Sequence, residues 1–205
     1  MVSGFSEAPP RRLGPKGLRT RAAILDAASD VLAEQGWHAT TTTAIATRAG
    51  VGAGTMYQYF ASKQDVLAEL VGRQTSAALG QLRGWDPADG RDGLHRLIRR
   101  FVAVYSGTAR FQRVWAEVSL VDPEMARLRD ELTDSYVRLF ADAFVAGAAA
   151  GLLDAGPDPE GAARALCAMV DRYCHEVFVR GAGVADADAA VELLTELWAR
   201  AVRLS

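Results

Sequence analysis

Along most of the chain the apolar positions recur at intervals of three and four, not two, and that spacing predicts a protein built from helices. From Leu18 onward Ile24, Leu25, Ala28, Val31 and Leu32 share one helical face and Gly36 follows as a stop, so the first helix is expected over 18–35. Residues 1–17 carry three prolines and three glycines without periodicity and read as a disordered arm. Four threonines, Thr40 to Thr43, have the β-branched character of a strand, but Ile45, Ala46 and Ala49 behind them are helically spaced. A helix is therefore expected over 42–49, capped by Thr41 and ended by Gly50. A tight turn at Gly50-Val51 leads to a short helix over 53–60 with Gly52 at its cap. Met56, Tyr59 and Phe60 lie on one side of it, leaving Ala53, Gly54, Tyr57 and Gln58 on the other. Ser62, with an acid three residues later, starts the next helix, which runs through Val66, Leu67, Leu70 and Val71 to about Arg83.

Beyond Trp85, turn signals at 86–90, 106–108, 121–123, 155–159 and 181–186 separate helical segments over 92–105, 109–121, 124–152, 159–180 and 187–204. The expectation is an all-α protein of about nine helices, with no internal repeat. Its organisation reads as a flexible basic arm (1–17), an N-terminal helical domain (18–64) and a C-terminal helical domain (65–205). Composition agrees with helix, since half of the residues are hydrophobic, with Ala, Leu, Val and Arg dominant.

Charge changes the picture only when it is split by position. The whole chain has a formal net charge of −2, yet residues 1–64 hold seven Lys or Arg against four Asp or Glu, which leaves −5 for the rest. Arg11, Arg12, Lys16, Arg19 and Arg21 form an uninterrupted basic run, read either as a solvated tail or as an attraction to phosphate. No stretch approaches the roughly 20 apolar residues of a membrane span, and the N-terminus lacks the apolar core of a signal peptide, so no membrane partner and a cytoplasmic location are expected.

Several chemistries fall away. Gly50, Gly52 and Gly54 sit in AGVGAGT, but the dinucleotide fingerprint needs its third glycine three residues after the second, and a phosphate loop needs Gly-Lys-Ser/Thr. Cys167 and Cys174 are separated by about 10.5 Å of helix rise, too far for a disulfide, and read as reduced, buried residues. Asp171, Cys174 and His175 stand at i, i+3 and i+4 with Cys167 one turn back, a spacing open to a soft metal, but Arg172 and Glu176 favour an ordinary salt-bridged surface. No metal, no cofactor and no catalytic residue is expected, because neither a Ser-His-Asp order nor a paired-carboxylate motif occurs.

Two short helices joined by a tight Gly-containing turn, with a small residue (Ala46) where they cross, describe a helix-turn-helix whose second helix enters the major groove. Gly36, Ala39, Thr40, Thr41, Ile45, Ala46, Ala49-Gly50-Val51, Gly54-Thr55, Tyr57, Tyr59-Phe60, Lys63 and Leu67 stand at the spacing of a known signature. In these residues the chain resembles the TetR family of transcriptional regulators, closely over Arg21 to Leu70 and elsewhere in helix count and length.

The resemblance implies that Thr41 and Thr43 lie near a phosphate, that Ala53, Gly54 and Thr55 let the recognition helix press against base edges, that Tyr57, Gln58 and Tyr59 contact phosphates, thymine methyls or bases, and that Lys63 holds a phosphate. For Tyr59 packing remains an equal alternative, since it shares a face with Met56 and Phe60. Gln suits bidentate pairing to adenine, and a helix N-terminus suits phosphate. One departure from the family pattern is Gly52, where a Ser or Thr cap is usual.

The resemblance makes 18–64 the DNA-binding domain and 65–205 the ligand-binding and dimerisation domain, and for the latter it implies a homodimer with a pocket among the middle helices. Its candidate walls are Phe101, Tyr105, Phe111, Trp115, Phe140, Phe144, Met169 and Tyr173, each of which also suits an ordinary core. A dimer face is expected from Leu166, Val170, Val177, Leu194, Leu197, Trp198 and Ala201, whose apolar width exceeds what one face needs. The partners so implied are double-stranded operator DNA, a mostly apolar small-molecule effector and a second copy of the chain. The rival is a helical carrier of an apolar ligand, which has no reason to turn Tyr57, Gln58 and Lys63 outward on a glycine-opened helix.

Overall fold

The computed structural model describes residues 13–82, 85–183 and 186–204. Nine helices run through them: α1 (Pro15–Ala39), α2 (Thr42–Arg48), α3 (Ala53–Tyr59), α4 (Lys63–Leu82), α5 (Gly90–Gly107), α6 (Ala109–Val121), α7 (Pro123–Ala149), α8 (Pro159–Cys174) and α9 (Ala187–Ala201). The chain divides into two compact units, the first ending at Arg73 and the second beginning at Gln74. The division falls inside α4, beyond the boundary at residues 64 and 65 expected from the sequence. No helix among the described residues is long and apolar enough to cross a membrane.

Three of the element ends that differ from expectation do so for a clear local reason. Helix α1 starts at Pro15, three residues early, because proline at the first helical position gives up only an N–H that has no partner there. Part of the expected arm, including Lys16, is therefore helical, while Arg11 and Arg12 lie outside the described residues. At the other end Gly36 breaks the helix at φ 73°, and a last turn, Trp37 to Ala39, follows before the chain extends at Thr40. The segment expected to be helical to 180 leaves the α-form after Cys174 and finishes as a π turn, His175–Val179, in which Arg180 N donates to His175 O at 3.1 Å.

In the N-terminal unit, Ile24, Ala28, Val31 and Leu32 of α1 bury together with Ile45 of α2, Met56 of α3 and Val66, Leu67 and Leu70 of α4. Asp26 pairs with Arg73, Glu34 with Arg48, and Glu69 with Arg21, whose guanidinium also lies over the Phe60 ring, 5.2 Å from its centroid. Helix α4 opens on a reciprocal cap: Ser62 Oγ accepts from Asp65 N at 3.1 Å, and Asp65 Oδ2 accepts from the N–H of Ala61 and of Ser62 at 3.0 Å each.

In the C-terminal unit α7 packs along α8 and α5 along α9. Trp85, Phe140, Phe144 and Trp198 meet at ring separations between 4.9 and 6.5 Å. Gly147, within the alanine-rich end of α7, is there because the chain returns closely: a Cβ would stand 2.9 Å from both Leu153 and Pro87. Alanine is small, but not small enough.

Candidate nucleic-acid interface

The geometry of the first three helices is set by their caps and turns. Thr40 Oγ1 donates to Gly36 O at 2.7 Å across the break in α1, and Thr41 Oγ1 accepts from Ala44 N at 3.1 Å, so consecutive threonines close one helix and open the next. Gly50, at φ 67°, turns the chain back, and Val51 N donates to Ala46 O at 3.0 Å. Ala46 is buried at this crossing, where a larger side chain would hold the helices apart. Helix α3 then starts from Gly52 with no side-chain cap.

Helix α3 anchors itself through Met56, with Phe60 buried just past its end. Ala53, Gly54, Tyr57 and Gln58 are exposed, and Tyr57 keeps 57% of its surface in the open. Thr55 is half-buried. A Cβ added at Gly54 meets nothing within 4 Å, so no packing among the described residues requires glycine there. Thr42 Oγ1 and the Tyr57 hydroxyl lie 3.0 Å apart, tying the start of α2 to the outer face of α3. The exposed Thr41 and Thr43 rim an open hollow beside α2 with Gln35, Thr47 and Arg48. Thr41, Thr43, Ala53, Gly54, Tyr57 and Gln58 thus share exposure on two adjoining helices.

Tyr59 and Lys63 behave differently. Tyr59 is half-buried, with its hydroxyl close to Gly17 on α1. Lys63 turns inward: its Nζ donates to Trp37 O at 2.8 Å and to Thr40 O at 3.0 Å and lies 4.3 Å from the centroid of the Trp37 indole. Burial lowers its pKa from the ordinary lysine value. The expectation that Lys63 holds a phosphate meets an ammonium already engaged with the end of α1. The sequence lacked any signal for this, because Trp37 and Lys63 are brought together only by the break at Gly36. Thr42, whose hydroxyl steadies Tyr57, was likewise passed over as one threonine in a run.

The C-terminal unit corrects two expected groups. Leu166, Val170, Val177, Leu194 and Trp198 are buried within the subunit's own core, so of the expected dimer face only Leu197, 43% exposed, and Ala201 are open to a partner. Width of an apolar face cannot distinguish a partner chain from the chain's own α5 and α7. The acidic flank of α9 also faces α5, with His95 Nε2 at 2.9 Å from Glu192 Oε1 and Arg99 Nη1 at 3.1 Å from Asp188 Oδ1. Among the expected pocket walls, Phe140 and Phe144 are core, closed in by Trp85 and Trp198. Tyr105 and Phe111 are buried, whereas Phe101, Trp115, Met169 and Tyr173 are half-buried. Phe101 and Tyr105 stack at 5.7 Å. Both thiols are pushed up to about 12 by burial, Cys167 with help against it from Arg164 and Cys174 with a further push from Asp171.

A helix-turn-helix with a bare, glycine-opened second helix defines a DNA-binding transcriptional regulator, not an enzyme. The chain belongs to the TetR family: residues 24–70 match "Bacterial regulatory proteins, tetR family", and residues 94–203 match "Transcriptional regulator EthR, C-terminal domain". It is 30% identical over 179 residues to the HTH-type transcriptional repressor BepR of Brucella suis biovar 1, covering 81% of this chain and 84% of that one. To the fatty acid metabolism regulator protein of Bacillus subtilis it is 25% identical over 151 residues, 72% of this chain and 78% of the relative. Among solved structures, Salmonella enterica GusR superposes with a TM-score of 0.77 at 21% identity, over 94% of this chain and 100% of that one, a likeness of fold.

Proposed function

We propose that the protein is a homodimeric repressor that sits on a near-palindromic operator and leaves it when a mostly apolar small molecule binds the C-terminal unit. The observation that carries this reading is the outer face of α3, where Gly54 has no internal reason to be glycine and Tyr57 and Gln58 stand exposed beside Thr41 and Thr43 of α2. Ala53, Gly54 and Thr55 let the helix approach base edges; Gln58 matches the donor and acceptor pair of adenine; Thr41 and Thr43 lie near a phosphate, and Tyr57 reaches a phosphate, a thymine methyl or a base. Tyr59 and Lys63 serve this surface from behind. Repression is supported by the relative named as a repressor, and an apolar effector by the one named for fatty acid metabolism.

A dimer is supported by Leu193 and Leu197, both 43% exposed on the side of α9 turned away from its ion pairs with α5. A two-fold axis there repeats the same operator contact, with half-sites about 34–36 Å apart or a multiple of that. The test is selection of bound fragments from random or genomic DNA by the full chain. An enriched inverted repeat whose recovery falls steeply with salt is expected. Recovery of fragments without a repeat overturns the operator reading; a monomeric mass of the unmutated protein in solution overturns the dimer, and a Leu197→Asp variant that stays dimeric at micromolar concentration moves the interface elsewhere.

A further inference from the structure

Asp171 stands at the centre of a polar cluster that no packing requirement of a helical bundle calls for. The Tyr105 hydroxyl of α5, on a side chain nine-tenths buried, lies near enough to this carboxylate that, after burial, the Asp171 charge adds to the rise of the tyrosine pKa above its ordinary value. Arg129 of α7 stands beside it, Nη2 to Asp171 Oδ2 at 3.6 Å, while its Nη1 donates at 3.1 Å to the buried Ser119 Oγ of α6, which in turn donates to Ala116 O. Four helices thus converge on one ion pair, whose side chains nevertheless remain 39% and 50% exposed. A paired charge that is neither buried nor on a free outer surface is poised to meet something.

Two further observations point to a ligand. The regular helix is lost one turn beyond Asp171, in the π turn His175–Val179, whose Val179 O accepts from Arg113 of α6 at 3.0 Å; such turns are rare and frequent at functional sites. One to two turns along α7 from Tyr136, which burial and Asp171 hold above its ordinary pKa, lie Phe140 and Phe144. Packed against them, Trp85 and Trp198 each bury an indole N–H that has no acceptor among the described residues. Unsatisfied buried donors favour an incoming oxygen.

We infer that Tyr105, Ser119, Arg129 and Asp171 form the polar end of the effector site and select a neutral, hydrogen-bonding head group, a hydroxyl, carbonyl or amide on an apolar body. The cluster offers donors and acceptors together, and its two formal charges already neutralise each other. An added carboxylate faces Asp171 and an added ammonium faces Arg129, so either charge breaks a pair that a neutral head leaves intact. The inference rests on the effector reading above but makes a separate claim about chemistry.

The test uses the full-length protein and three ten-carbon probes below their aggregation limits: decan-1-ol, decanoate and decylamine, titrated by tryptophan fluorescence. Decan-1-ol is expected to bind at least about tenfold tighter than either charged probe. Asp171→Asn leaves Arg129 uncompensated and shifts the decanoate to decanol ratio about tenfold toward decanoate; Arg129→Met shifts the ratio toward decylamine by a similar factor. Tyr105→Phe weakens decan-1-ol several-fold. A structural role for the cluster lowers the melting temperature of these variants without moving the ratios, and that outcome overturns the inference, as does preference of the unmutated protein for a charged probe or binding of none of the three. Gel shift on the selected operator separates the two claims: selective decanol binding without release of DNA defeats the inducer reading and leaves the site, whereas release by a compound indifferent to Asp171→Asn does the reverse.

Discussion

The two compact units are equally helical and differ in where their informative residues lie. In the N-terminal unit the core is ordinary, Ile24, Val31, Leu32, Ile45 and Met56, and what distinguishes it is on the outside, where Gly54, Tyr57 and Gln58 face solvent. In the C-terminal unit most of the outside is ordinary arginine and carboxylate pairing, and what distinguishes it is the buried set of Trp85, Phe140, Phe144 and Trp198 rings and the half-exposed cluster around Asp171. A DNA-reading surface must be exposed to work, so it is written in solvent-facing residues; a small-molecule site must be enclosed, so its residues share the helical spacing of the core.

The largest test of that contrast is Phe144→Ala. Phe144 is fully buried among three other rings, and its truncation is expected to cost about 3–5 kcal/mol, read as a lowered urea midpoint with the slope unchanged. A loss below about 1 kcal/mol would mean that the ring borders space, as a pocket wall does, and would erase its assignment to the core. Lys63→Met comes next. Removing the ammonium leaves Trp37 O and Thr40 O without these donors, and a stability loss of about 1–2 kcal/mol is expected together with weaker operator binding at every salt concentration. If stability is unchanged and only the salt slope of DNA binding falls, by roughly 1 per subunit, Lys63 is a phosphate ligand after all.

Asp65→Ala removes the acceptor for two N–H groups at the start of α4 and is expected to cost about 1 kcal/mol in the same denaturation experiment. The smallest effect on folding, within about 0.5 kcal/mol, is expected for the exposed Gln58→Ala. Its effect on recognition is nevertheless the sharpest, a relaxed preference at one base position per half-site in competition binding. An equal loss on all sequences would reduce Gln58 to a phosphate contact.

Much of the head was legible before any coordinates. Helix ends within one residue of Arg48 and Tyr59, the Thr41 cap, the Gly50 turn and the Ser62 start are local events, decided by residues a few positions apart, and a sequence displays such residues side by side. The outward set on α3 was legible for the same reason, since the spacing of Met56 and Phe60 fixes the buried side and leaves Tyr57 and Gln58 the other. The inward contacts of Lys63 are not legible in the sequence because its partner carbonyls stand 23 and 26 residues away, beyond a helix break whose consequence no periodicity records.

For the C-terminal unit the sequence alone determined that there are helices, where they turn and which face of each is apolar. It did not decide what each face covers. Leu194 and Trp198 were assigned to a partner chain and are buried in their own subunit, while Asp171 was weighed with Cys174 and His175, its neighbours on one helix, when its companions are Tyr105, Ser119 and Arg129 on three others. Caps, turns and amphipathic faces are set by interactions a few residues long, so the sequence suffices for them. Which helices meet is a competition among many apolar faces of similar chemistry, won by side-chain shape, as at Gly147 where Leu153 and Pro87 leave no room for a Cβ, and only the assembled tertiary structure decides it.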